Sequence, residues 1–294
     1  MNVGFFLIGK KGLYVLGKFI DALSASKIAY VVSARDLNIE NDFYLEIRSL
    51  CSKNNIAFYD RGEVFSHDAD YAFAIGWKWI LNEKNLIVLH DSLLPKYRGF
   101  APLVSMLING EERIGVTALK ASSEYDKGDI IRQQSVKISY PLKIKDAIEI
   151  ILPLYSNLVI EISNHILSGI NLPLKVQNEE EASYSLWRNF YDYRINWNHT
   201  SEKIERFIDA VGSPYSGAHT YLNNKEVIIL EAVSVDDVAV EDREAHIGKV
   251  IFLTKGLPTV VCGKGLLKVT SIVDKTGNEL TNRISFRSRF GLYQ

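Results

Sequence analysis

Leu86-Ile87-Val88-Leu89-His90-Asp91-Ser92-Leu93-Leu94-Pro95-Lys96-Tyr97-Arg98-Gly99-Phe100 is an apolar run that delivers a histidine into a loop. Four consecutive apolar residues bounded by turn formers read as a short buried strand. Pro95 and Gly99 mark the loop that follows. In an open α/β sheet the C-terminal ends of strands are where ligands and catalytic groups collect. Further on, Asp126-Lys127-Gly128-Asp129-Ile130 brings an aspartate into a glycine-containing turn. Taken alone, His90 would be a satisfied loop histidine and Asp126 a turn former; within this run they form a candidate pair.

The surrounding chain supplies the sheet that such a strand needs. Val3–Ile8 is a continuous apolar run and predicts a first buried strand. Gly9-Lys10-Lys11-Gly12 follows, then an amphipathic helix to about Leu23 with Leu13, Val15, Leu16, Phe19, Ile20 and Leu23 on its apolar face. Ile28–Val32, Ile56–Tyr59 and Tyr71–Ile75 read as strands and Asn41–Lys53 as a helix. This alternation predicts an α/β fold with a doubly wound, mostly parallel sheet. Residues 115–120 and 130–138 are expected to form its far side, and residues 143–168 to be largely helical, interrupted or started at Pro153. Residues 170–199 are irregular. Glu179-Glu180-Glu181 and the aromatics Trp187, Phe190, Tyr191, Tyr193 and Trp197 suggest a strap. A helix from Thr200 to about Val211 leads into short β-like runs at Ala218–Leu222, Glu226–Ser234, Gly248–Leu253, Thr259–Val261 and Leu266–Val273, which predict a small β barrel or sandwich. The expected organisation is therefore a first domain over 1–180, a linker strap over 181–199 and a β barrel-like domain over 200–294.

Composition narrows the classes. With 294 residues, 47% hydrophobic and 23% charged, the chain is that of a globular protein with a sizeable core. A net charge of −1 gives no global pull toward nucleic acid or an anionic membrane. Cys51 and Cys262 have no metal-like spacing and fit ordinary packing in a reducing cytoplasm, the expected location. Gly4–Ile8 is too short for a signal-peptide core, and no run approaches the ~20 apolar residues of a membrane span. No pair of histidines has ligand spacing, so no metal is expected.

The His90–Phe100 run and the Asp126 turn resemble the formyltransferase family that uses 10-formyltetrahydrofolate, whose pattern is Asn-x-His-x-Ser-Leu-Leu-Pro followed by an Asp-x-Gly turn. Asn109-Gly110-Glu111, Gly115-Val116-Thr117 and Gln133 match as well. Gly76-Trp77-Lys78-Trp79-Ile80-Leu81 looks like the family's folate-side segment. Asp192–Trp197 and Ile208–Ala218 are similar to the start of its C-terminal domain, a small open β barrel. The resemblance implies that His90 carries protons with Asp126 as its partner, and that 10-formyltetrahydrofolate is the formyl donor. It implies a folate pocket lined by Lys78, Trp79, Ile80 and Leu81 and by Ser123, Glu124 and Tyr125. Trp77 and Trp79 read equally as core aromatics, and Ser92 as a loop-ordering or an ordinary turn serine. One departure stands out: the family's catalytic Asn falls at Val88.

Gly9, Lys10, Lys11 and Gly12, between a strand and a helix, read either as a phosphate contact or as a solvated loop. With Trp77 and Arg98 they are the candidate acceptor contacts. From Thr200 onward the chain holds 12 Lys+Arg and 12 Asp+Glu, which argues against a tRNA acceptor. The expected acceptor is a nucleotide-linked (UDP or dTDP) amino-dideoxy sugar for bacterial surface glycan, with a homodimer possible. Methionyl-tRNA formylation and a catalytically impaired folate or sugar-nucleotide binding relative are the alternatives.

Overall fold

The structure, a computed structural model, describes residues 1–36, 41–64 and 66–291. These residues group into two compact units: 1–103, 113–137 and 148–186 in the first, and 104–112, 138–147 and 187–294 in the second.

The first unit is built on β1 (Val3–Leu7), whose five residues are all buried. Helix α1 (Gly9–Leu23) follows and lays Val15, Leu16 and Phe19 onto the sheet, with Phe19 meeting Phe5 edge-on at 5.0 Å. Then come β2 (Ile28–Ser33), α2 (Tyr44–Lys53), β3 (Phe58–Asp60), β4 (Tyr71–Ile75) and β5 (Leu86–His90). A two-residue strand β6 (Arg98–Gly99) leads into helix α3 (Pro102–Asn109), most of which belongs to the second unit, and β7 (Arg113–Lys120) and β8 (Ile130–Lys137) follow. Helix α4 (Ile144–Leu167) and the short β9 (Tyr184–Ser185) follow.

The main sheet has the order β3-β2-β1-β4-β5-β7-β8. It is parallel through β5, while β7 and β8 are antiparallel additions. The winding direction reverses between β1 and β4, so the crevice for ligands lies outside the carboxyl ends of these strands. There Ile8 N–H donates to Ile75 O at 3.1 Å, and a side chain at Gly76 (φ +66) would meet Ile8 O at 3.0 Å.

Two local readings differ from the sequence expectation. Gly9–Gly12 is not a loop but the first turn of α1, because Gly12 packs where a Cβ would come within 2.9 Å of Leu7. Helix α3 was not foreseen: Pro102 stands at the first helical position, where proline's missing N–H costs nothing.

Helix α4 is long and apolar enough to cross a membrane by length and composition, although its apolar residues are interrupted by polar ones. Half of that stretch is buried within the protein, with Ile151, Tyr155, Leu158, Val159 and Ile162 in the core.

In the second unit α5 (Ser201–Val211) starts at Thr200, whose side chain accepts from Lys203 N–H, and packs against the sheet that follows. Strands β10 (Ala218–Leu222), β11 (Lys225–Val235), β12 (Val250–Thr254), β13 (Leu257–Val261) and β14 (Leu266–Asp274) form an antiparallel sheet of order β10-β11-β14-β13-β12. Residues 288–291 bond to both ends of it: Gly291 N–H to Tyr221 O and Asn223 N–H to Arg289 O on one side, Phe290 N–H to Gly248 O and Val250 N–H to Ser288 O on the other. The terminal segment thus covers both edge strands and gives the sheet the barrel-like closure read from its short strands.

Candidate active site

His90 ends β5, and its side chain alternates with that of Leu89, so it emerges at the C-terminal edge of the sheet. The ring is 7% exposed. Its Nε2 lies 2.8 Å from Tyr97 O and its Nδ1 3.4 Å from Asp126 Oδ1. The other carboxylate oxygen, Oδ2, accepts from Gly99 N–H at 2.8 Å. Both ring nitrogens therefore face oxygen acceptors, an arrangement in which the imidazole can hold and exchange a proton with the carboxylate.

The loop carrying His90 is tied from below. Thr117 Oγ1 donates to Ser92 O at 2.6 Å and accepts from Leu94 N–H at 3.1 Å. Gln133 Nε2 donates to Leu94 O at 2.9 Å and to Thr117 Oγ1 at 2.8 Å. Ser92 Oγ donates to Lys96 O at 2.7 Å, so this serine orders the loop.

Beside His90, the Asp91 carboxylate takes hydrogen bonds from Lys11 Nζ and from Tyr155 OH of α4. Burial alone would favour the neutral acid. The Lys11 charge, the hydrogen bonds from Lys11 and Tyr155, and the His90 ring outweigh it and hold the carboxyl below its ordinary range. Burial, followed by the Asp91 charge and hydrogen bond, keeps Tyr155 a phenol.

Two expectations about acceptor binding meet these contacts. Lys11 is paired with Asp91, and Lys10 with Glu149 in a pair whose members are both half-exposed, in the stretch read as either a phosphate contact or a solvated loop. Arg98 is 0% exposed and its guanidinium is enclosed by Gln177, Glu179 and Tyr184, so in this structure it holds loops together.

The 76–81 segment divides by side. Trp77 packs edge-on against Phe6 at 5.2 Å and against Trp79 at 5.3 Å, and Arg61 lies 4.0 Å above the Trp79 ring. A cavity of about 390 Å³ opens here, lined among others by Phe6, Arg61, Trp77, Trp79, Leu81 and Glu83. The Trp77 indole N–H is buried with no acceptor among the described residues. Lys78 reaches Asp36, and Ile80 is exposed. Ser123 and Glu124 are exposed, as is Tyr125, whose ring lies 6.4 Å from that of Phe100. Ala121, at the head of that second segment, packs on the same apolar cluster as Trp77 and Leu81. Apolar and aromatic walls with a few polar groups suit a flat heterocycle.

The pairing of Asp91 with Lys11 and Tyr155 and the enclosure of Arg98 by Gln177 had no sequence signal. Each joins residues far apart in the chain, and none of Asp91, Tyr155 and Gln177 belongs to a repeated or spaced motif.

Comparison with known proteins supports this fold. Residues 67–149 match the formyl transferase family, and residues 191–288 match the formyl transferase C-terminal domain. A methionyl-tRNA formyltransferase of Syntrophomonas wolfei is 30% identical over 207 residues, 70% of this chain and 64% of that protein. A solved sugar 3N-formyl transferase, WlaRD, in the presence of dTDP and 5-N-formyl-THF, superposes with a TM-score of 0.69 at 18% identity, covering 92% of this chain and 97% of that one. An N-formyltransferase from Helicobacter canadensis, in complex with folinic acid and dTDP-3-aminofucose, gives 0.68 at 18% identity over 92% and 99%. The two domain matches, in their order along the chain, place this protein in the formyl transferase family.

Proposed function

We propose that the protein transfers a formyl group from 10-formyltetrahydrofolate to the amine of a nucleotide-linked (UDP or dTDP) amino-dideoxy sugar. The observation that carries this reading is the His90–Asp126 pair, with Nδ1 to Oδ1 at 3.4 Å, at the strand edge of a fold that sugar N-formyltransferases share over nearly its whole length. The ligands in those two structures, a folate with a dTDP compound, support the donor and the class of acceptor.

In this chemistry the neutral amine attacks the formyl carbon, a C–N bond forms and the carbonyl oxygen takes the negative charge. The folate N10–C bond then breaks, and N10 leaves with a proton. The His90–Asp126 pair takes the proton from the attacking nitrogen and returns one to N10; because Nε2 faces Tyr97 O, the transfer runs through Nδ1 and the carboxylate it faces. With Val88 in the place of an amide donor, the oxyanion falls to His90 in protonated form or to a backbone N–H of the 91–93 turn. The Lys78–Leu81 and Ser123–Tyr125 segments are assigned to the donor site.

Methionyl-tRNA is the second reading, favoured by the 30% identity to a tRNA enzyme. The balance of 12 basic and 12 acidic residues from Thr200 onward weighs against it. The test incubates the protein with 10-formyltetrahydrofolate and, separately, with UDP- and dTDP-linked 3- and 4-amino-dideoxyhexoses and methionyl-tRNA. Mass spectrometry then looks for the gain of one formyl group. Formylation of a sugar nucleotide is expected; formylation of methionyl-tRNA alone would replace this reading with the second.

A further inference from the structure

The His90 loop and the Asp126 turn are distant in sequence, and a third segment joins them. Ile130 and Lys175 exchange backbone hydrogen bonds of 2.8 and 2.9 Å just past the Asp126 turn. A few residues on, Arg98 N–H donates to Ser183 O and Phe100 N–H to Ser185 O, both at 2.8 Å, which pairs β9 with β6 in the His90 loop.

Between these two anchors lies Gln177, 6% exposed, with four hydrogen bonds. Its Nε2 donates to Asp126 O and Gly128 O, each at 2.7 Å. Its Oε1 accepts from Arg98 Nε at 3.1 Å and Nη2 at 2.9 Å. Both Glu179 carboxylate oxygens in turn accept from Arg98, each at 2.8 Å. The turn so gripped needs holding. Asp126 has φ 55, a conformation that strains a non-glycine residue and persists only where its surroundings over-determine it. No residue but glycine fits at 128, where a Cβ would lie 1.7 Å from Lys120 O.

We infer that Gln177 is a positioning residue for Asp126: by fastening the peptide oxygens of the 126–128 turn to Arg98 in the His90 loop, it sets one carboxylate oxygen on Gly99 N–H and the other toward His90. This rests on the reading of His90 and Asp126 as the reacting pair. Gln177 touches no reacting atom; it acts through the turn.

The variant Gln177→Met keeps the side-chain length and removes all four hydrogen bonds. Misplacing a catalytic group by about an ångström typically costs on the order of 100-fold in rate. In the full-length protein, kcat is therefore expected to fall about 10- to 100-fold, with KM for formyl donor and sugar nucleotide little changed. The Gly99 amide is expected to exchange faster with deuterium, since its acceptor is Asp126; this is read on the resting protein and needs no substrate. A wild-type kcat with wild-type Gly99 protection overturns the inference, and so does a loss carried by KM alone. Should Gln177→Met not fold, Glu179→Gln loosens the same chain from its 63%-exposed end, and a kcat reduced several-fold at constant KM is expected there; an unchanged kcat overturns the inference. Asp126→Asn measured alongside separates the two failures. Full turnover in Asp126→Asn removes the pair itself, whereas an inactive Asp126→Asn beside an unimpaired Gln177→Met removes only the role of Gln177.

Discussion

At the scale of the residue, His90 is set between two oxygens, Tyr97 O at 2.8 Å and Asp126 Oδ1 at 3.4 Å, so a side chain that cannot pass a proton should stop the reaction without emptying the site. His90→Asn is expected to lower kcat about 10²- to 10⁴-fold while the dissociation constant of the formyl donor, measured by calorimetry, stays nearly constant. Near-normal turnover would remove His90 from the mechanism. Val88 poses the converse question. It is half-buried, lies opposite Ala74 and Leu119 in the sheet and packs against Leu94, Leu119 and Ile130. An amide placed there meets apolar neighbours and, left unsatisfied, costs about 1–3 kcal/mol. Val88→Asn is expected to melt lower and to gain no rate; a tenfold gain in kcat at unchanged stability would show that the site lacks its donor. His90 and Asp126 were legible because their signal is local: a histidine at a strand end, and an aspartate two residues before the glycine its turn demands. Gln177 was not, because its three partners, Arg98, Asp126 and Gly128, are spread along the chain and its neighbours form no periodic element.

At the scale of the element, α5 carries a buried acid. Asp209 lies on a helix that packs against β11, and burial, with Glu205, Glu231 and Asp146 adding to it against the opposing Lys143, pushes its carboxyl from 3.8 up to about 6. A folded-state value above the unfolded one means that the native state binds the extra proton between about pH 4 and 6. The stabilisation is complete below pH 4 and is lost as the pH rises through 6. Asp209→Asn keeps the shape and removes the charge, so it is expected to raise Tm at pH 8 by a few degrees, about 1–2 kcal/mol, and to give little or no gain at pH 4.5. Thermal melts at the two pH values check this; equal losses at both would mean that Asp209 is held by hydrogen bonds and not by charge. The periodicity of α5 was plain in the sequence because one face is apolar and Thr200 caps it. Helix α3 escaped because its run Leu103-Val104-Ser105-Met106-Leu107-Ile108 is buried nearly all round and shows no polar face to set a period. The β domain gave its strands away by turn spacing, but the 288–291 segment that bonds to both edges has no strand pattern of its own.

At the scale of the whole molecule, the choice of acceptor is a question of charge. An enzyme that holds tRNA must neutralise several phosphates, and each such contact makes affinity fall steeply with salt, with a slope of roughly 0.7–0.9 per phosphate. This chain has a net charge of −1, and from Thr200 onward its basic and acidic residues cancel. Only Arg283, Arg287 and Arg289 gather near one end. A small nucleotide-linked sugar asks for far less: one or two phosphates and a shaped pocket. Raising salt from about 50 to 200 mM, a range over which a protein with 6–10 phosphate contacts loses about 10³–10⁵ in affinity, is therefore expected to change KM for the sugar nucleotide only a few-fold. Methionyl-tRNA should not be retained on a filter at the upper salt. The donor supplies the control: at 100 times its dissociation constant, a ligand that binds only the native state adds about 2.7 kcal/mol of stability, so 5-formyl- or 10-formyltetrahydrofolate should raise Tm at both salt concentrations alike. Tight, steeply salt-dependent retention of methionyl-tRNA beside an unchanged folate shift would leave the formyl-transfer chemistry standing and assign the acceptor to the nucleic acid.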